Sequence, residues 1–211
     1  MEQAVAMLTE AAAQGYRWAQ YSLGLAYRHG HGVTRDVDRA IELYTLAGRQ
    51  GYADAHCNLG ILLKNERQDV DGAEKAYRTA IKADPEFAPA HYNLGYALVL
   101  LGRSEEAIAA YERAIAIRAD YAAARHNLGG LLQAQGRLPE AAEQFRLALE
   151  SEPGNAGTYF NLGMLLQMQG DTSGAIEQYR LALEITPNDA QTHSSLAQTL
   201  AQQRHLPSRT Q

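Results

Sequence analysis

A Leu-Gly pair recurs down the chain at Leu23-Gly24, Leu59-Gly60, Leu94-Gly95, Leu128-Gly129 and Leu162-Gly163, with Leu196-Ala197 as a sixth copy, in steps of 36, 35, 34, 34 and 34 residues. Self-similarity at such a period restricts a chain to architectures that stack one supersecondary unit on the next. A second signature keeps the same beat: Ala40-x3-Tyr44, Ala73-x3-Tyr77, Ala107-x3-Tyr111, Ala141-x3-Phe145 and Ala175-x3-Tyr179. Two signatures per period predict two helices per repeat, a helix A carrying Leu-Gly and a helix B carrying Ala-x3-aromatic. Within the stretch Glu106 to Arg118, Ala107, Tyr111, Ala114 and Ile115 fall on one helical face. No run shows strand alternation, so the expected fold is all-α, a right-handed solenoid of stacked antiparallel helix pairs.

The glycines of the first signature lie inside apolar helical patterns, where each costs about 1 kcal/mol relative to alanine. A cost repeated in every unit implies a repeated need, here close contact between helices. Gly102, Gly136 and Gly170 are placed to end helix A, while Pro85, Pro153 and Pro187 stop helix B. Asp120, Asn155 and Asp189 are then expected to cap the helix A that follows, and Asp36 or Asp38 a helix B.

Spacing between the signatures changes along the chain. From Gly to the next Ala it is 16 residues in the first repeat, 13 in the second and 12 thereafter. Leu23-Gly24-x2-Tyr27, Gly30-His31-Gly32-Val33, Asp36, Ala40-x3-Tyr44 and Gln50-Gly51 resemble a Sel-like repeat. Tyr159-x2-Leu162-Gly163, Ala175, Tyr179, Ala182 and Pro187 resemble a tetratricopeptide repeat (TPR). Departures are Ala119 in place of the usual Pro, and Gln20, His56, His91, Arg125 and His193 in place of the aromatic near the start of helix A. The resemblance implies a single solenoid over residues 1–204, with a Sel-like repeat at 17–52, a hybrid at 53–87, and TPRs at 88–121, 122–155 and 156–189. Ala4, Leu8, Ala11 and Gly15 lie 36 residues before Ala40, Tyr44, Ala47 and Gly51, so residues 2–15 form a lone helix B. Either the chain is a piece of a longer protein or another molecule covers that helix, and self-association through Met7, Leu8 and Ala11 is expected. At the other end, residues 190–204 read as a polar capping helix and 205–211 as a mobile tail.

A net charge of −5 and the lack of any basic stretch speak against nucleic acid and anionic membrane as partners. No apolar run is long enough to span a bilayer, and the single Cys57 cannot form an intrachain disulfide. Residues 1–15 do not read as a signal peptide, which makes the cytoplasm the expected compartment.

Two residues before each Gly stand Ser22, Asn58, Asn93, Asn127 and Asn161, with Ser195 in the last copy. Asparagine is a mediocre helix former, but its amide both donates and accepts, as a partner's backbone requires. Rungs on helices packed about 10 Å apart match roughly three residues of extended peptide. This ladder resembles that of the TPR arm of O-linked N-acetylglucosamine transferases, which holds peptide backbone. It implies peptide binding on the concave face by Asn58, Asn93, Asn127 and Asn161, flanked by Tyr92, Tyr96, His126, Phe160 and Met164; the alternative is that the amides only tie neighbouring helices together. Arg28 and Lys64 occupy equivalent positions beside Asn58 and Asn93 and suggest a minor clamp-like variant.

Chemistry is sparse. His56, His91 and His193 share one repeat position and are too far apart to share a metal. Neither His29-Gly30-His31 nor Asp36-Val37-Asp38 completes an ion site. No nucleophile with a base and no phosphate-binding glycine loop is present, so neither catalysis nor a cofactor is expected. The leading reading is a scaffold or adaptor that binds an extended protein segment. The alternatives are the recognition arm of a larger enzyme, such as a glycosyltransferase, and, less favoured, an RNA-binding helical repeat.

Overall fold

A computed structural model of the chain describes residues 2–205, so of the expected tail only His205 falls within the described residues, as the last residue of a helix. Those residues form twelve helices and no strand: α1 (Glu2–Ala13), α2 (Arg17–His29), α3 (Val37–Arg49), α4 (Ala53–Glu66), α5 (Val70–Ala83), α6 (Ala88–Leu100), α7 (Ser104–Ile117), α8 (Ala122–Ala134), α9 (Leu138–Ser151), α10 (Ala156–Met168), α11 (Thr172–Ile185) and α12 (Ala190–His205). They gather into two compact units, Met1–Ile117 and Arg118–Gln211. In the first, α1 packs on α2, and α2/α3, α4/α5 and α6/α7 are helix pairs; in the second, α8/α9 and α10/α11 are pairs and α12 packs on α11.

What closes each pair is a contact between the two signatures. A Cβ built on Gly24 would stand 2.7 Å from the Tyr44 ring, on Gly60 2.5 Å from Tyr77, on Gly95 2.7 Å from Tyr111, on Gly129 2.8 Å from Phe145 and on Gly163 2.6 Å from Tyr179. Helix A must carry glycine there because the helix B ring occupies the space of its side chain. The helix B alanines Ala40, Ala73, Ala107, Ala141 and Ala175 are fully buried, small enough to let the helices approach while the rings fill the seam.

Helix ends follow from local chemistry. Gly102, Gly136 and Gly170 take left-handed backbone with φ of 74°, 75° and 82°, as helix A termination requires. In α4/α5 the equivalent position is Gln68, which adopts φ of 56° without the freedom of glycine. Helices α5, α9 and α11 each stop two residues before Pro85, Pro153 and Pro187. Asp36 accepts from Arg39 N to cap α3, and Asn155 accepts from Thr158 N at 3.0 Å to cap α10. Asp189 accepts from Thr192 N at 2.9 Å at the start of α12. Asp120 does not cap α8: the N-cap is Tyr121, 34 residues before Asn155, which leaves Asp120 one position too early.

The lone helix α1 is less bare than its sequence suggests. Leu8 and Ala11 pack against the cluster of Ala12, Ala19, Leu23 and Leu43, whereas Met7 remains 68% exposed. The change of repeat type lies inside the first unit, where α4 packs on α5 and α5 on α6.

Candidate functional site: the helix A face

The polar rungs sit half-buried on successive A helices, Asn58 on α4 and Asn93 on α6 in the first unit, Asn127 on α8 and Asn161 on α10 in the second. They are not equivalent. Asn58 Nδ2 donates to Tyr21 Oη at 3.0 Å, and its Oδ1 accepts from Arg28 Nη1 at 2.7 Å, so both halves of its amide are engaged with α2. Asn93 Nδ2 donates to the Pro89 carbonyl at 2.8 Å, one turn back, and touches Cys57 Sγ at 3.5 Å. Asn161 Nδ2 faces His126 Nε2 at 3.5 Å. Asn127 is also engaged within the chain. The amides therefore do tie neighbouring repeats together: both halves of the Asn58 amide are engaged, while Asn93 and Asn161 each keep Oδ1 clear of any described donor.

One position before each rung, the side chain leans on the helix B aromatic of its own pair. Ring centroids are 5.8 Å apart for Tyr21 and Tyr44, 5.9 Å for Tyr92 and Tyr111, 5.7 Å for His126 and Phe145, and 5.8 Å for Phe160 and Tyr179. Edge and tilted contacts of this kind hold the rings at a fixed angle, half in the seam and half available at the surface. Cys57 departs from the row: it is buried, and burial pushes its thiol up to about 12, leaving too little thiolate to react.

The positions after each glycine are more open. Tyr96 is 39% exposed, with Lys64 Nζ 4.1 Å from its ring centroid in a cation–π contact. Met164 is half-buried, and at Gly130 a Cβ would meet nothing within 4 Å. Beside Phe160 a cleft of about 520 Å³ opens between α10 and the start of α12, lined by Ala156, Thr186, Pro187 and Thr192.

Three of the side chains at the shared histidine position have one structural task. His91 Nε2 contacts the Pro85 carbonyl at 3.0 Å, His193 Nε2 the Pro187 carbonyl at 2.8 Å, and Arg125 Nε donates to the Ala119 carbonyl at 3.0 Å. Each side chain thus fastens the loop carbonyl six residues before it, and the common spacing is the sequence signal for that role. His56 instead packs on Gly48, where an added Cβ would lie 2.7 Å from its ring. His126 Nδ1 meets Thr158 Oγ1 at 2.7 Å, and burial holds its pKa below the usual histidine range. Among the described residues no three His, Cys, Asp or Glu side chains gather as a metal site would need, and no helix is long and apolar enough to cross a membrane.

Helix pairs locked by a glycine against a ring, with a row of polar and aromatic side chains along the A helices, define a helical-repeat protein built for protein interaction. The chain belongs to the tetratricopeptide repeat family: models of that family match residues 59–123 and 120–188, and a Sel1 repeat model matches residues 1–16 and 19–52, α1 included. Among solved structures, YrrB, a TPR protein with an unusual peptide-binding site, is similar at 23% identity and a TM-score of 0.72, with 89% of this chain and 96% of that one covered. MamA is similar at 24% identity and a TM-score of 0.68, covering 80% of this chain and 97% of its own. The hetero-tetramer Cut9-Hcn1 of APC/C contains a chain with 17% identity and a TM-score of 0.72, covering 94% of this chain and 39% of that one. Comparison with curated proteins gives no match.

Proposed function

We propose that the protein is a non-enzymatic adaptor whose helix A face holds an extended segment of a partner protein. The observation that carries this reading is the set of amides on the A helices of each unit, three of them (Asn93, Asn127 and Asn161) with an aromatic ring one position before, and in particular the free Oδ1 of Asn93 and Asn161. An extended segment offers backbone N–H groups to such acceptors, whereas a helix keeps its own hydrogen-bonded internally. The half-buried rings of Tyr92, His126 and Phe160 and the exposed edge of Tyr96 add apolar area, as peptide-binding grooves do. That YrrB has a peptide-binding site on the same fold is in keeping with this reading. The lone, buried thiol suits a reducing compartment such as the cytoplasm. Met7 on α1 and Trp18 on α2, 68% and 56% exposed, offer apolar surface for self-association.

Replacing Asn93, Asn127 and Asn161 together by Ala tests the assignment. Each neutral contact contributes about 0.5–1.5 kcal/mol, so single changes weaken binding by a few-fold and the triple change abolishes capture of the natural partner in a pull-down. Unchanged capture by the triple variant sinks the reading. It would move attention to another surface of the first unit, where Ile81, Leu94, Leu98, Ala109 and Ala110 line an open cleft of about 480 Å³.

A further inference from the structure

We propose that the second unit carries a further docking surface, a cleft across α9, α10 and α11 that takes a basic segment of a partner protein. The stem of a partner Arg or Lys, with an apolar neighbour, lies on Leu149, Leu162 and Leu166, and its cationic head meets Glu150 and Glu177. The cleft is open, about 520 Å³ in volume, and shares no lining residue with the amides. Its floor is apolar, with Leu162 and Leu166 buried and Leu149 half-buried, and its rim carries the exposed side chains of Arg146, Glu150, Asp171 and Glu177. The first unit holds the equivalent cleft 68 residues earlier, over Ile81, Leu94 and Leu98. The two floors are alike and the two rims are not.

In the first cleft Arg78 is neutralised, paired with Glu74 at 2.9 Å and Glu106 at 3.3 Å, while Lys82 supplies a further cation and Ala109 keeps one flank uncharged. In the second, Arg146 keeps the place of Arg78, but Ala142 and Gly174 stand where its carboxylate partners would be. Glu150 replaces Lys82, and Glu177 replaces Ala109. Among the described residues no cation pairs with Glu150 or Glu177. Asp171 Oδ1 accepts from Gly174 N at 2.9 Å to cap α11 and adds a third carboxylate to the rim against the single guanidinium of Arg146. The surroundings have the same sign, since residues 118–203 hold nine Asp and Glu and five Arg.

An apolar floor edged by carboxylates fits one kind of side chain best. Lys and Arg lay an aliphatic stem on apolar surface and keep the charged head at the wet rim, where a carboxylate takes it in a charge-assisted contact. An acidic segment would be repelled, and a purely apolar one would dehydrate the carboxylates without offering them a donor. The volume lies within the range of ligand-holding clefts, about 300–1,000 Å³, and leaves room for an apolar neighbour beside the stem.

The test is selection of the Asn93→Ala, Asn127→Ala, Asn161→Ala variant against a displayed library of random dodecapeptides. That variant lacks the amide face, so the outcome is independent of the reading above. The expected result is enrichment of Arg or Lys beside an aliphatic or aromatic residue. Combining Glu150→Gln with Glu177→Gln then lowers the affinity of a selected synthetic peptide about tenfold or more by calorimetry, as does replacing the peptide's cation by Gln. Added salt weakens the same binding. Circular dichroism checks that the variants fold. Should the triple variant fail to fold, selection on the unaltered chain, with and without the two glutamine changes, still decides the matter through the basic peptides. Basic peptides whose affinity survives the loss of both carboxylates overturn the proposal. So does a selection that yields no basic peptides, or no peptides at all.

Discussion

Two adjacent glycines on α8 stand there for opposite reasons. At Gly129 an added Cβ would press on Phe145 Cε1 at 2.8 Å, and Phe145 is fully buried, so its ring has nowhere to retreat. At Gly130 the same atom would meet nothing within 4 Å. Gly130→Ala is expected to stabilise the protein by about 1 kcal/mol through helix propensity alone. Gly129→Ala gains the same propensity but overpacks the seam at about 1–3 kcal/mol, so it is expected to destabilise the protein by up to about 2 kcal/mol. Urea unfolding of both variants checks this, and equal shifts in the same direction would show that the ring does not enforce the glycine. The glycines were legible in the sequence because their need recurs with the period, as does that of Tyr44 or Tyr77. The hold of Arg28 and Tyr21 on Asn58 was not, because it joins residues 30 and 37 apart and depends on which rotamers meet across a seam.

Among the helices and their turns, the most exposed weakness is the joint between α4 and α5. The other A helices of TPR type end on a left-handed glycine, but here Gln68 adopts that backbone, a conformation that costs a residue with a side chain about 1–2 kcal/mol. Its Nε2 donates to the Asn65 carbonyl at 3.2 Å, an exposed bond that offsets little of that. Gln68→Gly is therefore expected to stabilise the protein by about 0.5–1 kcal/mol, a rise in Tm of roughly 2 °C by calorimetry; a fall would mean that the side chain holds the joint. Helix ends were readable wherever glycine or proline marks them. The start of α8 was misread by one position because Tyr121 provides no side-chain cap, so Asp120 drew the assignment on chemistry alone. The row of half-buried rings could be placed on the helix A face from spacing, but not their division between seam and surface, which depends on how far each helix B aromatic reaches.

For the molecule as a whole, the first two helices carry exposed apolar surface that a partner could cover. Met7, Tyr16 and Trp18 are all more than half exposed, while Leu8 and Ala11 are already packed. Exposed apolar residues on two helices that pack together favour association, so the chain is expected to self-associate as concentration rises, and Met7→Glu with Trp18→Glu to suppress it. Sedimentation velocity over a concentration series reads both, and a monomer throughout would refute the expectation. The glycine-and-ring contact bears on a different question. Each such contact closes within one helix pair, Gly95 on Tyr111 or Gly163 on Tyr179, and none needs a residue from the next pair. A pair is therefore a self-keyed module: evolution could duplicate or delete one without rewriting its lock, and the length of such a chain is free to drift while the shape of its unit is not.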